Sequence, residues 1–194
     1  MKPRFESSEP LGPLPRVKPG SKSKNQPRYD ARAHLARITG VDLVAVTGIS
    51  APIAQTIILE VGTDMHQFPT VKHFCSWLGL APHNDISGGR VLRARTLKVV
   101  SRATQAFRQA AQSVARSGSS CGAYFRVLRA RLGPQQATVA TAHKIARVVY
   151  HLLKYREPFN NESAAEYERT RRARELKHLT RRANKLGYAL TPVK

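Results

Sequence analysis

Between Asp85 and Glu157 the chain contains no aspartate or glutamate. An ordinary solvated helical surface mixes both signs of charge, so this absence excludes a conventional inert exterior over that stretch. Cysteine is almost as scarce. Cys75 and Cys121 lie far apart and form no CxxC pair, which excludes a disulfide scaffold and a structural zinc site and leaves two small buried or half-buried thiols. No apolar run approaches the roughly 20 residues of a bilayer span. Residues 1–16 have no apolar core of a secretory signal. These absences predict a cytoplasmic, nucleoid-associated protein with no membrane partner. An alternating strand pattern of useful length is also missing, so the expected fold is all-α.

What is present is positive charge: 33 Lys and Arg against 12 Asp and Glu in 194 residues, a formal net charge of +21. Such an excess repels itself in the folded state and calls for a polyanionic partner, of which nucleic acid is the usual one. An acidic membrane fits less well, because no helix pairs a Trp/Phe/Leu-rich face with a Lys-rich one. The charge is unevenly placed. Residues 31–89 are nearly neutral, with 3 basic and 4 acidic side chains, whereas residues 90–156 carry 14 basic and none acidic. Ser87-Gly88-Gly89 marks the joint.

Residues 1–28, rich in Pro, Ser, Gly and Lys, predict a disordered leader. Residues 29–158 predict a helical domain, and 159–194 a charged helical extension that half packs. A short helix over 30–38 ends at Gly40. Gly48 and Ser50-Ala51-Pro52 then form a turn into a second helix that stops at Gly62. This pattern fits a degenerate helix-hairpin-helix presenting backbone N–H groups to phosphate, with Ser50 in place of the usual second glycine. It fits a packing corner between helices equally well. Thr70 caps a third helix whose Val71, Phe74, Trp77 and Leu78 share one face, which places Trp77 in the core. The spacing of His66, His73 and Cys75 matches no standard metal site, so no metal is expected here.

Residues 81–95 read as an irregular connection or small hairpin. A long helix is predicted from Arg95 to Ser117. Leu97, Val100, Thr104, Phe107, Ala111 and Val114 step along its inward face, and Arg95, Lys98, Arg102, Gln105, Gln109, Gln112 and Arg116 along the opposite one. Helices over 121–132 and 135–155 follow. The latter turns Val139, Ala142, Ala146, Val149 and Leu153 inward and carries a second basic stripe of Lys144, Arg147, His151 and Lys154.

Ser87 fits a plain turn, since Ser-Gly-Gly is common loop chemistry. It also fits a nucleophile. Nearby fixed positive charge favours an alkoxide and stabilises charge developing on an attacked phosphate. Arg90, Arg93 and Arg95 follow directly, and Gly88 and Gly89 remove bulk so that a phosphodiester can approach.

The stretch GTDMHQFPTVKHFCSWLGLAPHNDISGGRVLRART, led by VTGISAPIAQTIILEVG, resembles the C-terminal domain of IS110/IS902 insertion-sequence transposases. The resemblance is most specific over residues 46–102. It implies a recombinase active in DNA transposition, guided by a structured noncoding RNA, with a serine that links covalently to DNA. The matching position is Ser87; where the family loop often has two successive serines, the first is Ile86 here. The resemblance further implies a homo-oligomer and an N-terminal RuvC-like domain whose four acidic residues bind divalent metal. The acids Asp42, Glu60, Asp64 and Asp85 form no such pattern. The chain is therefore expected to be a truncated transposase, without a cofactor of its own, that binds nucleic acid but does not recombine it alone. The phosphate-binding set is expected to be Gly88, Gly89, Arg90, Arg93, Arg95, Lys98, Arg102, Lys144, Arg147 and Lys154. The competing readings are a non-catalytic nucleic-acid-binding module and, more remotely, a basic ribosome-associated protein.

Overall fold

The structure is a computed structural model that describes Leu14, residues 29–160 and residues 164–191. Apart from Leu14, the leader over 1–28 lies outside the described residues. The described chain runs α1 (Ala31–Thr39), α2 (Ala51–Val61), α3 (Val71–Trp77), β1 (Pro82–Ser87), β2 (Arg90–Thr96), α4 (Arg102–Ser113), α5 (Ser120–Leu132), α6 (Pro134–Tyr155) and α7 (Ala164–Lys185). It is mainly helical, as expected, with one two-stranded antiparallel sheet.

Local chemistry sets the helix ends. Asp30 accepts from the Ala33 N–H at 3.1 Å to open α1, and Gly40, at φ 75°, closes it in the left-handed conformation. Thr70 caps α3 by accepting from the His73 N–H. Pro52 and Pro134 occupy first turns, where no amide N–H is needed. Asp42 accepts from the Val44 N–H at 3.1 Å and takes two hydrogen bonds at 3.1 Å from Arg32 Nε, which pins α1 to the following turn. That bonding to Asp42 raises the Arg32 pKa above its ordinary value.

The core gathers around α6, which packs against α3, α4 and α5. Phe74 is fully buried and meets the rings of Phe68, Phe107 and Tyr150 at centroid distances of 5.0, 6.2 and 5.7 Å. Two buried hydroxyls tie elements together. Thr104 donates to the Leu78 carbonyl at 2.7 Å, and Tyr150 donates to the Phe68 carbonyl at 2.9 Å. On the other side α2 lies on α4. There Gly48 (φ 97°) faces the end of α4 so closely that an added Cβ would stand 2.5 Å from Val114 Cγ1 and 2.6 Å from the Ala110 carbonyl. The glycine is thus accounted for by packing, in favour of the corner reading of this turn.

Three expectations are corrected. The helix expected from Arg95 starts at Arg102, because residues 90–96 pair as a strand and Ser101, extended at φ −138° and ψ 154°, caps α4 by accepting from the Thr104 N–H at 3.1 Å. Arg95 and Lys98 are therefore not on α4. Leu97 and Val100, expected in the core, precede the cap and are 43% and 88% exposed. Trp77, also expected in the core, sits in the last turn of the seven-residue α3. Its ring covers Phe68 (5.3 Å) and Phe74 (6.5 Å) from outside and remains 45% exposed. The inward positions of α4 from Thr104 onward and of α6 are as expected, except that Val139 is only partly buried.

Cys75 and Cys121 are free and buried. Burial pushes the Cys75 thiol up to about 11, and the thiolate is the reactive form. Cys75 in the folded chain is therefore expected to resist a thiol reagent at pH 8 and to react fully after denaturation. Rapid labelling of native protein at Cys75, located by peptide mapping, would contradict this burial.

Candidate nucleic-acid interface

Ser87 ends β1 and pairs with Arg90 across a two-residue turn of Gly88 and Gly89. Both glycines have positive φ, 55° and 74°, the conformation that a tight hairpin with right-handed strand twist requires. Neither would bring an added Cβ within 4 Å of any atom, so the space beside them is open. Ser87, Arg90, Arg93 and Arg95 are all exposed. Among the described residues the Ser87 hydroxyl has no hydrogen-bond partner.

Register decides which side chains accompany Ser87. Ile86 pairs with Val91, but Asp85 pairs with Arg93, leaving Leu92 as an extra residue between them. This bulge shifts the alternation of β2 by one position. Without it Arg90 would share a face with Leu92 rather than with Arg93 and Arg95. With it Ser87, Asp85 and His83 stand opposite Arg90, Arg93 and Arg95, and all six belong to one face. An ion pair between Arg95 and Asp85 at 3.4 Å, diagonal across the ladder, agrees with that assignment. Both partners are solvated, so the pair is weak. The opposite face presents Ile86 and Val91, exposed by 64% and 53%.

Lys98 lies in the connection to α4, and Arg102 opens that helix. Both are exposed, and Gln105, Gln109, Gln112 and Arg116 continue the exposed polar line as expected. The α6 cations are differently placed. Lys144 Nζ lies between two rings, 4.8 Å from the Tyr124 centroid and 4.7 Å from that of Tyr167, and so clamps α7 onto α5 and α6. Lys154 Nζ donates to the Pro69 carbonyl at 3.1 Å and to the Tyr150 hydroxyl at 2.8 Å; the latter bond raises its pKa. Arg147 is exposed. The ten expected phosphate-binding positions thus fall into a hairpin group, a helix-start group and an α6 group, two of whose three cations are engaged within the fold. The aromatic partners of Lys144 escaped the sequence reading, because Tyr124 and Tyr167 lie on other helices; the outward stripe on α6 was the available clue.

Residues 35–126 match the Transposase IS116/IS110/IS902 family. This segment is a transposase domain of that family. It spans α1 to α5 and includes Ser87, the whole hairpin and the exposed line of α4, while α6 and α7 lie beyond it. Transposition is therefore the process in which the transposase domain takes part, and DNA is the partner that membership implies. No curated protein and no solved structure matches the chain. No helix among the described residues is long and apolar enough to cross a membrane. Nor, among those residues, do three or more His, Cys, Asp or Glu side chains group so as to hold a metal ion. The divalent metal that the sequence resemblance implies thus has no ligand set among the described residues.

Proposed function

We propose that this chain grips DNA through the arginine face of its hairpin and offers Ser87 as the nucleophile of strand joining. The observation that carries the reading is the bulged register, which assigns Ser87, Arg90, Arg93 and Arg95 to one open face. The serine oxygen would attack a phosphodiester phosphorus, forming a phosphoserine bond while the strand's own ester oxygen leaves and takes up a proton. The guanidinium groups would bear the negative charge that builds on the non-bridging oxygens. The tip glycines keep side chains out of the path of the approaching backbone.

The reading further assigns phosphate contacts to Gly88, Gly89, Lys98, Arg102 and Arg147. It draws on a separate acidic domain with its divalent metal, on a guide RNA, and on a homo-oligomer to complete recombination. A decisive experiment incubates the chain, supplied with such a domain, with nicked insertion-sequence ends and maps any covalent adduct by mass spectrometry. A nucleotide on the peptide bearing Ser87 is expected. Strand exchange with no adduct there would leave a non-catalytic DNA-binding module as the function.

A further inference from the structure

Between Asp64 and Glu157 the chain has a single acidic residue, Asp85, and the hairpin register puts it among the arginines. It stands opposite Arg93, with Arg90 and Arg95 diagonal to it, on the face that also carries Ser87. Every other residue of β1 is exposed, whereas Asp85 is half-buried. The hairpin packs chiefly on itself, so the charged and titratable groups facing Asp85 are its own: His83, Arg90, Arg93 and Arg95. A carboxylate in this place works against a grip on DNA, because it repels the phosphates that the arginines attract. It does little for the fold either, since its ion pair with Arg95, at 3.4 Å, is solvated on both sides.

Joining through Ser87 leaves one proton to place. A serine hydroxyl is a poor nucleophile until a base takes its proton as the new bond forms. Protonated arginine and lysine offer no lone pair for it. The hairpin face holds two groups that do, His83 and Asp85. His83 stands about 13 Å from Ser87 along an extended strand, beyond the reach of either side chain. Asp85 stands about 6.6 Å away on the same face, a gap that a carboxylate and a hydroxyl leaning toward each other can close to a hydrogen bond. An aspartate receiving the proton of an attacking hydroxyl is known chemistry for reactions at phosphorus.

We infer that Asp85 is the general base for Ser87, freed for that task when a DNA phosphate displaces it from Arg95. The inference rests on Ser87 being the nucleophile and supplies the proton acceptor which that reading lacks. As the serine oxygen bonds to phosphorus, its proton passes to the Asp85 carboxylate. The strand's ester oxygen leaves with the bonding electron pair and takes a proton from water, and Asp85 then gives its own proton back to solvent. The weakness of the Arg95 pair is what makes the exchange cheap: a bound phosphate replaces one anion with another beside the same guanidinium.

Asp85→Asn in the full chain tests this by moving affinity and rate in opposite directions. Duplex binding, read by band shift, is expected to tighten by about two- to fivefold, because one repelling charge is gone. Single-turnover joining at saturating chain, with the acidic metal-binding domain supplied, is expected to slow by about 10²-fold or more, the usual worth of a general base. The deficit against wild type should shrink as pH rises from 6 to 9, by about tenfold per unit, as hydroxide takes over the proton. Asp85→Glu keeps a carboxylate and should recover most of the rate. A slowing short of about 10²-fold, a deficit that does not change with pH, or a loss of rate matched by a loss of affinity would overturn the inference while leaving Ser87 as nucleophile. Absence of a Ser87 adduct in the wild-type chain would instead overturn the proposed function, and this inference with it.

Discussion

Ser87→Ala is expected to leave duplex affinity within about twofold and to cut strand joining by at least about 10³-fold, the scale on which enzymes lose activity with their nucleophile. The asymmetry follows from the hairpin. Affinity comes from guanidinium groups, which the substitution leaves in place. Joining needs an oxygen that can bond to phosphorus, which alanine lacks. Ser87 is exposed and makes no hydrogen bond among the described residues, so its removal should not unfold the chain. Arg90→Ala combined with Arg93→Ala should instead depress binding and joining together. Band-shift titration beside a strand-exchange assay, run with the acidic metal-binding domain supplied, separates the two effects. Undiminished joining by the alanine variant would remove Ser87 from the chemistry.

The second large effect falls on stability. Gly48→Ala is expected to cost about 3–4 kcal/mol, combining left-handed backbone strain with overpacking. At φ 97° an L side chain is strained in any surroundings, and here the new methyl would press on the Ala110 carbonyl of α4. Main chain cannot step aside as a flexible side chain can. A thermal midpoint lower by about 10 °C is the corresponding expectation for a domain of this size. Gly88→Ala is the control: its φ is also positive, but the space around it is empty, so about 1 kcal/mol is expected. The same variant tests the two readings of the turn. If Gly48 serves packing, the folded fraction of Gly48→Ala keeps its DNA affinity at low temperature; if the turn presents amides to phosphate, affinity falls even where the chain is folded.

Much of the helical frame was legible because its signals are local. Asp30, Thr70 and the glycines at 40, 62 and 133 punctuate the chain wherever helices begin or end, and the apolar spacing of α6 leaves little doubt about its inward face. The error over residues 95–101 has an equally clear cause. Leu97 and Val100 continue the helical spacing of Thr104 and Phe107 by coincidence, while the strand pairing that claims residues 90–96 depends on a partner strand and a turn. The bulge at Leu92 is invisible to any pattern of period two, so the common face of Ser87, Arg93 and Arg95 could be reached only as proximity along the chain. Trp77 illustrates a different limit: periodicity gives a direction but not the depth of the core, and α3 is too short to bury its last turn.

The clamped position of Lys144 has a consequence for how tightly a polyanion can be held. Of the 14 cations between Arg90 and Arg156, Lys144 lies between two rings, Lys154 and Arg126 donate to main-chain carbonyls, and Arg95 has a carboxylate beside it. Each phosphate neutralised on binding frees about 0.9 of a condensed counterion from duplex DNA. A titration against ionic strength should therefore return a slope well short of the full tally, set by the arginines that still reach water.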